Sequence, residues 1–134
     1  MKKYLTLILI VSSQILTAQT IADARNESIG QTVTIKGIST NGGELGNIRY
    51  IQDATAALPA YGTNLSSIQR GDSVEVTGVV FEFSGLLELS PTTSFNILGQ
   101  GTMPEPLLIP LTSADEDLEA QLVRFDNVSF VQSG

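Results

Sequence analysis

Histidine, cysteine and tryptophan are absent from this chain of 134 residues, and lysine and arginine together number seven. Without histidine or cysteine, the usual ligands of zinc and the usual members of nucleophilic triads are missing. The lack of cysteine also excludes disulfides, so stability must come from the burial of apolar side chains. These absences point away from triad catalysis, and we expect neither a metal site nor a cofactor.

Helical periodicity is also lacking, since no window sustains an apolar face at helical spacing, and no glycine-rich phosphate loop joins a strand to a helix. Paired carboxylates can perform acid–base chemistry, and the candidates are Glu75, Glu82 and Glu88. We expect Glu75 and Glu88 to lie on solvated strand faces. This stretch of chain is therefore predicted not to be an enzyme, although a longer protein containing it can carry a hydrolase domain.

The first 18 residues are typical of a secretory signal peptide. Lys2 and Lys3 form a positive amino-terminal region, residues 4–11 form an apolar run, and Ala18 is suited to cleavage. The apolar run is too short to span a bilayer, and no cysteine is present to carry a lipid anchor. We expect a secreted or cell-surface protein that passes through the periplasm without membrane anchoring.

The remaining chain is strongly acidic. Five basic residues stand against 14 acidic ones after the first 18 residues, which gives a net charge of −9, and Lys36 is the single lysine left. Such a balance disfavours long-range attraction to phosphate backbones and to anionic membranes.

Short alternating segments predict an all-β fold. In the first, Val33 and Ile35 face one side, and Gly37 predicts a bulge that lets the strand pair with two neighbours. The fourth segment repeats this design, with a second bulge predicted at Gly78. Pro91 is expected to end the fifth segment, although residues 93–98 can continue the sheet. The predicted strands are residues 30–40, 48–53, 57–61, 72–80 and 86–90, with one helical or 3₁₀ turn in 64–71. Closing them into a five-stranded Greek-key barrel of the OB type removes their unpaired edges.

The end of the chain repeats its beginning. Residues 110–129 align without gaps with residues 20–39, at an offset of 90, with four identical positions and three that stay apolar. We therefore expect an OB module at residues 20–100, a proline-containing linker at 101–118, and at 119–134 the first strand of a truncated second β module. The chain is then expected to be a fragment of a longer tandem protein. Its last strand has no predicted partner strand, so we expect that strand to be aggregation-prone or disordered.

Four strings in this order resemble the OB-fold modules of large exported proteins from gliding, type-IX-secreting Gram-negative bacteria. They are Val-Thr-Ile-Lys-Gly-Ile at 33–38, Arg-Tyr-Ile-Gln-Asp at 49–53, residues 71–78 and residues 85–91. The resemblance covers residues 21–110, and residues 122–130 resemble the start of a following module. It implies neighbouring extracellular nuclease, phosphodiesterase, lamin-tail or sorting domains, and a nucleic-acid-binding role without assigned binding residues.

A binding face is predicted on strands two and three, whose outer surface is the usual ligand platform of OB folds. Alternation sends Tyr50 and Gln52 outward on strand two and Tyr61 outward on strand three. The tyrosines are candidate stacking surfaces for bases or sugar rings, with Lys36 and Arg49 as nearby cations. The alternative is that both tyrosines cover the barrel or contact a neighbouring module.

Three functions follow as hypotheses. The first is a non-catalytic accessory module that weakly binds single-stranded nucleic acid or another extended polymer such as a polysaccharide. The second is a structural spacer or protein-interaction module that positions neighbouring domains of the same chain. The third is a fragment of an extracellular nuclease or phosphodiesterase whose catalytic domain lies beyond Gly134. The acidic balance favours the spacer, and the resemblance favours nucleic-acid binding.

Overall fold

The computed structural model of the protein describes residues 19–129, so the signal peptide predicted at 1–18 and the end of the segment 119–134 lie outside the described residues. Within that range no helix has the length and apolarity needed to cross a bilayer. The elements are α1 Ile21–Arg25, β1 Thr32–Ser39, β2 Ile48–Gln52, β3 Ala57–Tyr61, β4 Asp72–Phe83, β5 Leu86–Gln100, β6 Leu107–Leu108 and β7 Val123–Arg124. Short 3₁₀ turns cover Gly43–Leu45, Thr63–Ser67, Leu111–Ser113 and Glu116–Leu118.

The first five strands close into a barrel in the order β1-β2-β3-β5-β4. All neighbours are antiparallel except β3 and β5, which are parallel at the pair Ala60–Leu89. β1 joins the two ends of this order because it pairs with β4 along residues 32–38 and with β2 at Ile38 and Ser39. The predicted all-β, five-stranded OB-type barrel is therefore confirmed.

The barrel interior is filled by the alternating apolar side chains of the strands. Val33 and Ile35 of β1 are buried, and so are Val74 and Val76, which occupy the corresponding alternating positions of β4. Apolar side chains from α1 and from the connection between β3 and β4 join the same cluster, namely Ile21, Ala24, Leu65 and Ile68. The segments outside the sheet thus contribute to the core, as a barrel of this small size requires.

The two glycines predicted to bend the strands act in different ways. At Gly78 the β4–β5 register shifts on both sides, so the predicted bulge is confirmed. At Gly37 the β1–β4 ladder continues without a shift, so the predicted bulge is absent. A Cβ at Gly37 would lie 2.6 Å from the carbonyl oxygen of Gln52, which is far inside van der Waals contact. Gly37 is therefore needed because β2 crosses β1 so closely.

The fifth strand does not end at Pro91, and that prediction is wrong. β5 runs on for 15 residues, to Gln100. The ladder passes from the pair Gly78–Thr92 to the pair Val80–Leu89, which leaves Pro91 without a partner opposite it. A proline has no N–H to donate, and at this irregularity no ladder hydrogen bond is lost.

Helix α1 was not predicted, because five residues are too few to establish a period. Thr20 begins it by accepting a hydrogen bond at its hydroxyl from the N–H of Asp23. Asp53, which follows β2, holds it to the barrel, since its carboxylate accepts a hydrogen bond of 2.9 Å from the N–H of Ile21. The same carboxylate also accepts from the main-chain N–H groups of Thr55 and Ala56. Burial alone would raise the pKa of Asp53, but these hydrogen bonds, with that from the Thr55 hydroxyl, lower it below its ordinary value.

Asp53→Ala is expected to lower the free energy of unfolding by about 2 kcal/mol, because several main-chain donors lose a charged acceptor. Since the folded-state pKa is lowered, this contribution is present above the unfolded-state pKa and is lost as the pH falls through the folded-state pKa. Urea unfolding at neutral and acidic pH measures both effects. The control is Asp126→Ala, at an exposed pair with Arg124, which should change stability little. Equal stability of the two variants at neutral pH would contradict the role of Asp53.

The C-terminal part of the described chain forms a small sheet of its own, in which β6 and β7 pair in parallel. β6 lies inside the predicted linker and β7 inside the predicted second module. A 3₁₀ turn begins at Leu111, which is 90 residues after the start of α1 at Ile21, the offset of the sequence repeat. β7 begins at Val123, which is 91 residues after the start of β1 at Thr32. The boundaries 20–100, 101–118 and 119–134 stay predictions.

Candidate ligand-binding site

The outer face of β2 and β3 carries the side chains predicted there. The register pairs Ile48 with Tyr61 and Tyr50 with Pro59, while Ile51 pairs with Leu58 inside the barrel. Residues opposite one another in a ladder share a face, so both tyrosines lie on the outer surface. Tyr50 is half-buried and Tyr61 is 46% exposed. The two tyrosines nevertheless open onto two different hollows.

Gln52 lies on this outer face but is not free to bind a ligand as predicted. It is buried, and its side-chain oxygen accepts a hydrogen bond of 2.9 Å from the N–H of Leu122. Nearby, Arg25 of α1 forms an ion pair of 3.2 Å with Glu119. Residues 119–122 are therefore docked on the barrel, and they cover the end of β2 that a free OB platform would expose.

Arg49 is the clearest correction to the predicted site. Its side chain is 1% exposed, so it is not a surface cation. Nε donates to the carbonyl oxygen of Ile68 at 3.0 Å, and one terminal nitrogen donates to those of Gly46 and Ile48 at 2.7 and 2.9 Å. The alternation that sends Tyr50 outward sends Arg49 inward. A buried guanidinium is tolerated because main-chain carbonyl groups accept its hydrogen bonds.

Lys36 is exposed, as predicted, but it does not accompany the tyrosines. It lies on the part of β1 that pairs with β4, directly opposite Glu75. Its charge is therefore placed beside a carboxylate on another side of the barrel. The set of five predicted residues is divided among the outer face, the interior and the β1–β4 ladder.

Tyr50 opens onto a groove of about 430 Å³, here called the strand-2 groove. The connection between β1 and β2 forms one wall and residues 120–122 form the other, with Arg70 also lining it. Glu44 lies on the first wall, and its two carboxylate oxygens both accept from the single N–H of Gly42, at 3.0 and 2.9 Å. These bonds are the main cause of the lowered pKa of Glu44, with a smaller contribution from the charges of Arg49 and Arg70. The groove is thus bounded partly by the chain's own C-terminal segment.

Tyr61 belongs to a second hollow, of about 240 Å³, which the sequence did not predict. It is lined by Tyr61 from β3, Phe81 and Phe83 from β4, and Glu88 and Ser90 from β5, and is here called the aromatic hollow. Phe81 is 41% and Phe83 63% exposed. Three large aromatic side chains that line one concave surface and remain open to solvent form an apolar patch of the kind associated with ligand or partner binding.

Glu88 lies among these rings and was expected on a solvated face. It is instead 6% exposed, directly opposite Phe81 in the β4–β5 ladder. Burial raises the pKa of the Glu88 carboxyl above its ordinary value, and a hydrogen bond with Ser90 opposes the shift in part. Among residues 19–129, the ion pairs join Arg25 to Glu119 and Arg124 to Asp126, so Glu88 has no basic partner there.

A simple signal for the aromatic hollow is present in the sequence. In β4 the buried positions are even-numbered, from Val74 to Val80, so the alternation carried past Val80 places Phe81 and Phe83 outside. The predicted strand four ended at residue 80, so Phe81 and Phe83 fell outside it.

Within the described residues no cluster of three or more acidic side chains is placed to hold a metal ion.

Comparison with known proteins supports the fold and goes no further. No family model matches the sequence, and no curated protein matches it. The solved structure of the hypothetical protein YgiW from E. coli is similar, with a TM-score of 0.52 and 16% identity, over 61% of this chain and 90% of that one. At this identity the similarity shows a shared OB fold and carries no function across.

Proposed function

We propose that this barrel is a non-catalytic OB-type binding module of an exported multidomain protein, and that its ligand is an extended polysaccharide. The observation that carries the proposal is the aromatic hollow, where three exposed rings line one concavity. A sugar ring presents an apolar face that packs on an aromatic side chain and hydroxyl groups that hydrogen-bond to polar neighbours. Glu88 and Ser90 supply such neighbours.

The charges favour a polysaccharide over the single-stranded nucleic acid that the family resemblance implies. Binding of a nucleic-acid strand depends on basic side chains that line its backbone. Arg49 is inside the barrel, Lys36 faces Glu75, and the hollow itself contains a carboxylate. The carboxylate in the hollow would repel the phosphates of a nucleic acid, but it would not repel an uncharged polymer.

Phe83→Ala is expected to weaken the binding of a neutral hexasaccharide about tenfold or more, because a ring exposed at the hollow is lost. Calorimetric titration of a cellulose-type and a chitin-type hexamer measures the change. Tyr50→Ala, which removes an aromatic ring from the strand-2 groove, is the matched control and should leave the affinity unchanged. Absence of binding by the unaltered protein, or loss of binding with Tyr50→Ala alone, would contradict the proposal. Tighter binding of an oligothymidine at moderate salt would favour nucleic acid instead.

The spacer hypothesis is the second candidate, and one observation favours it. Residues 119–122 are fastened to the barrel through Glu119–Arg25 and Leu122–Gln52. Such contacts are suited to fixing the direction in which the chain leaves the module. If this is the sole role, no oligosaccharide binds, and substitution of Gln52 changes the packing of the C-terminal segment without another effect. The nuclease hypothesis depends on the reading frame beyond Gly134, where clusters of metal-ligating residues would decide it.

A further inference from the structure

The Glu88 carboxylate is the feature of the aromatic hollow that a neutral sugar does not explain. Burying a carboxylate costs free energy unless a cation or several donors compensate it. Glu88 is 6% exposed, and no basic residue among 19–129 forms an ion pair with it. A neutral ligand would not compensate the Glu88 carboxylate, and an acidic ligand would be repelled by it, so the hollow is suited to a positively charged group.

The rings around Glu88 favour the same kind of ligand. A cation over the face of a tyrosine or phenylalanine is attracted by the ring's electron-rich centre, and the attraction increases when water is excluded. Tyr61, Phe81 and Phe83 supply three such rings from two strands, and Glu88 lines the same hollow, directly opposite Phe81 in the ladder. An alkylammonium group would gain from the rings and from the carboxylate together.

We infer that the aromatic hollow selects a saccharide chain bearing free amino groups, with one ammonium group held by Glu88 between Tyr61, Phe81 and Phe83. This inference rests on the proposed function and names its ligand class. The acidic balance of the chain, with a net charge of −9 after the first 18 residues, attracts the same polymers from a distance. This long-range attraction acts on any cationic polymer, whereas the aromatic hollow selects for an amino group that fits between its rings and Glu88.

The test compares a hexamer of glucosamine with the hexamer of N-acetylglucosamine, at mildly acidic pH where the free amines are protonated. The two differ in the acetyl groups and the charge. The amino form is expected to bind about tenfold or more tightly, and Glu88→Gln is expected to abolish this preference. Glu82→Gln removes the same charge from an exposed position on β4, on the opposite side of the strand, and should preserve the preference.

Unfolding measurements distinguish a binding role of Glu88 from a structural one. Glu88→Gln removes a desolvated charge and is expected to leave the protein as stable as before or more so, so a loss of amine preference would not reflect unfolding. Equal affinity for the two hexamers would overturn the inference and leave the proposed function standing. A preference that persists in Glu88→Gln would assign it to bulk charge and overturn the inference. Failure of both hexamers to bind would overturn the inference and the proposed function together.

Discussion

Arg49→Met is expected to lower the free energy of unfolding by about 3 kcal/mol, because three main-chain carbonyl groups lose their buried donor. Methionine fills much of the same volume, so the loss reports hydrogen bonding more than packing. The carbonyl groups belong to Ile68, Gly46 and Ile48, which tie the connection after β3 to the connection before β2. Urea unfolding monitored by far-ultraviolet circular dichroism measures the change.

The matched control is Arg70→Met, which removes the same charge from an exposed arginine near that connection and should alter stability by less than about 0.5 kcal/mol. Arg49→Lys should restore little, because a single ammonium group lacks the planar set of donors that reaches separate carbonyl groups. Similar losses at the two arginines would show that charge, and not the internal hydrogen bonds of Arg49, determines the effect.

Gly37→Ala is expected to lower stability by about 3 kcal/mol, at the upper end of the cost of overpacking. The added Cβ would lie 2.6 Å from the carbonyl oxygen of Gln52 and 2.9 Å from a methyl carbon of Ile51, so two strands must separate. Thermal unfolding followed by calorimetry measures the loss. Because β1 pairs with both β2 and β4, separating β1 from β2 would open the barrel.

Gly43→Ala provides the comparison, because the nearest atom to its added Cβ is a nitrogen of Arg49 at 3.9 Å. That variant should be unchanged or slightly more stable, since alanine restricts the unfolded chain more than glycine does. Equal stability of the two alanine variants would show that β1 and β2 can separate without cost.

The barrel was predictable because the alternation of apolar and polar residues can be recognised within each strand. Alternation in β1 and β4 identified the buried faces, and the bounds of β3 match the predicted segment 57–61. The glycine at position 78 was correctly identified as a bulge, since a glycine within an alternating strand has few other uses. At Gly37 the same signal had another cause, an approach of two strands that depends on the closed barrel.

The candidate site was less predictable because its parts come from several strands. Alternation placed Tyr50 and Tyr61 outside correctly, and the same rule, applied to Arg49, would have placed it inside. The aromatic hollow required knowing that β3 lies beside β5 and that β4 continues past residue 80. The burial of Gln52 depends on a hydrogen bond to a residue 70 positions away, for which no local pattern exists.

The docking of Leu122 on Gln52 has a consequence for how such barrels would act in series. The segment that leads away from the barrel lines the strand-2 groove, and that groove shares no lining residue with the aromatic hollow. A neighbouring module attached through this segment would therefore not compete with a saccharide for the same side chains. In a tandem array, one polymer would meet several hollows at once, and linked weak sites can gain about 10²–10⁴-fold in avidity. Modest affinity at each barrel would then suffice to retain a long polymer.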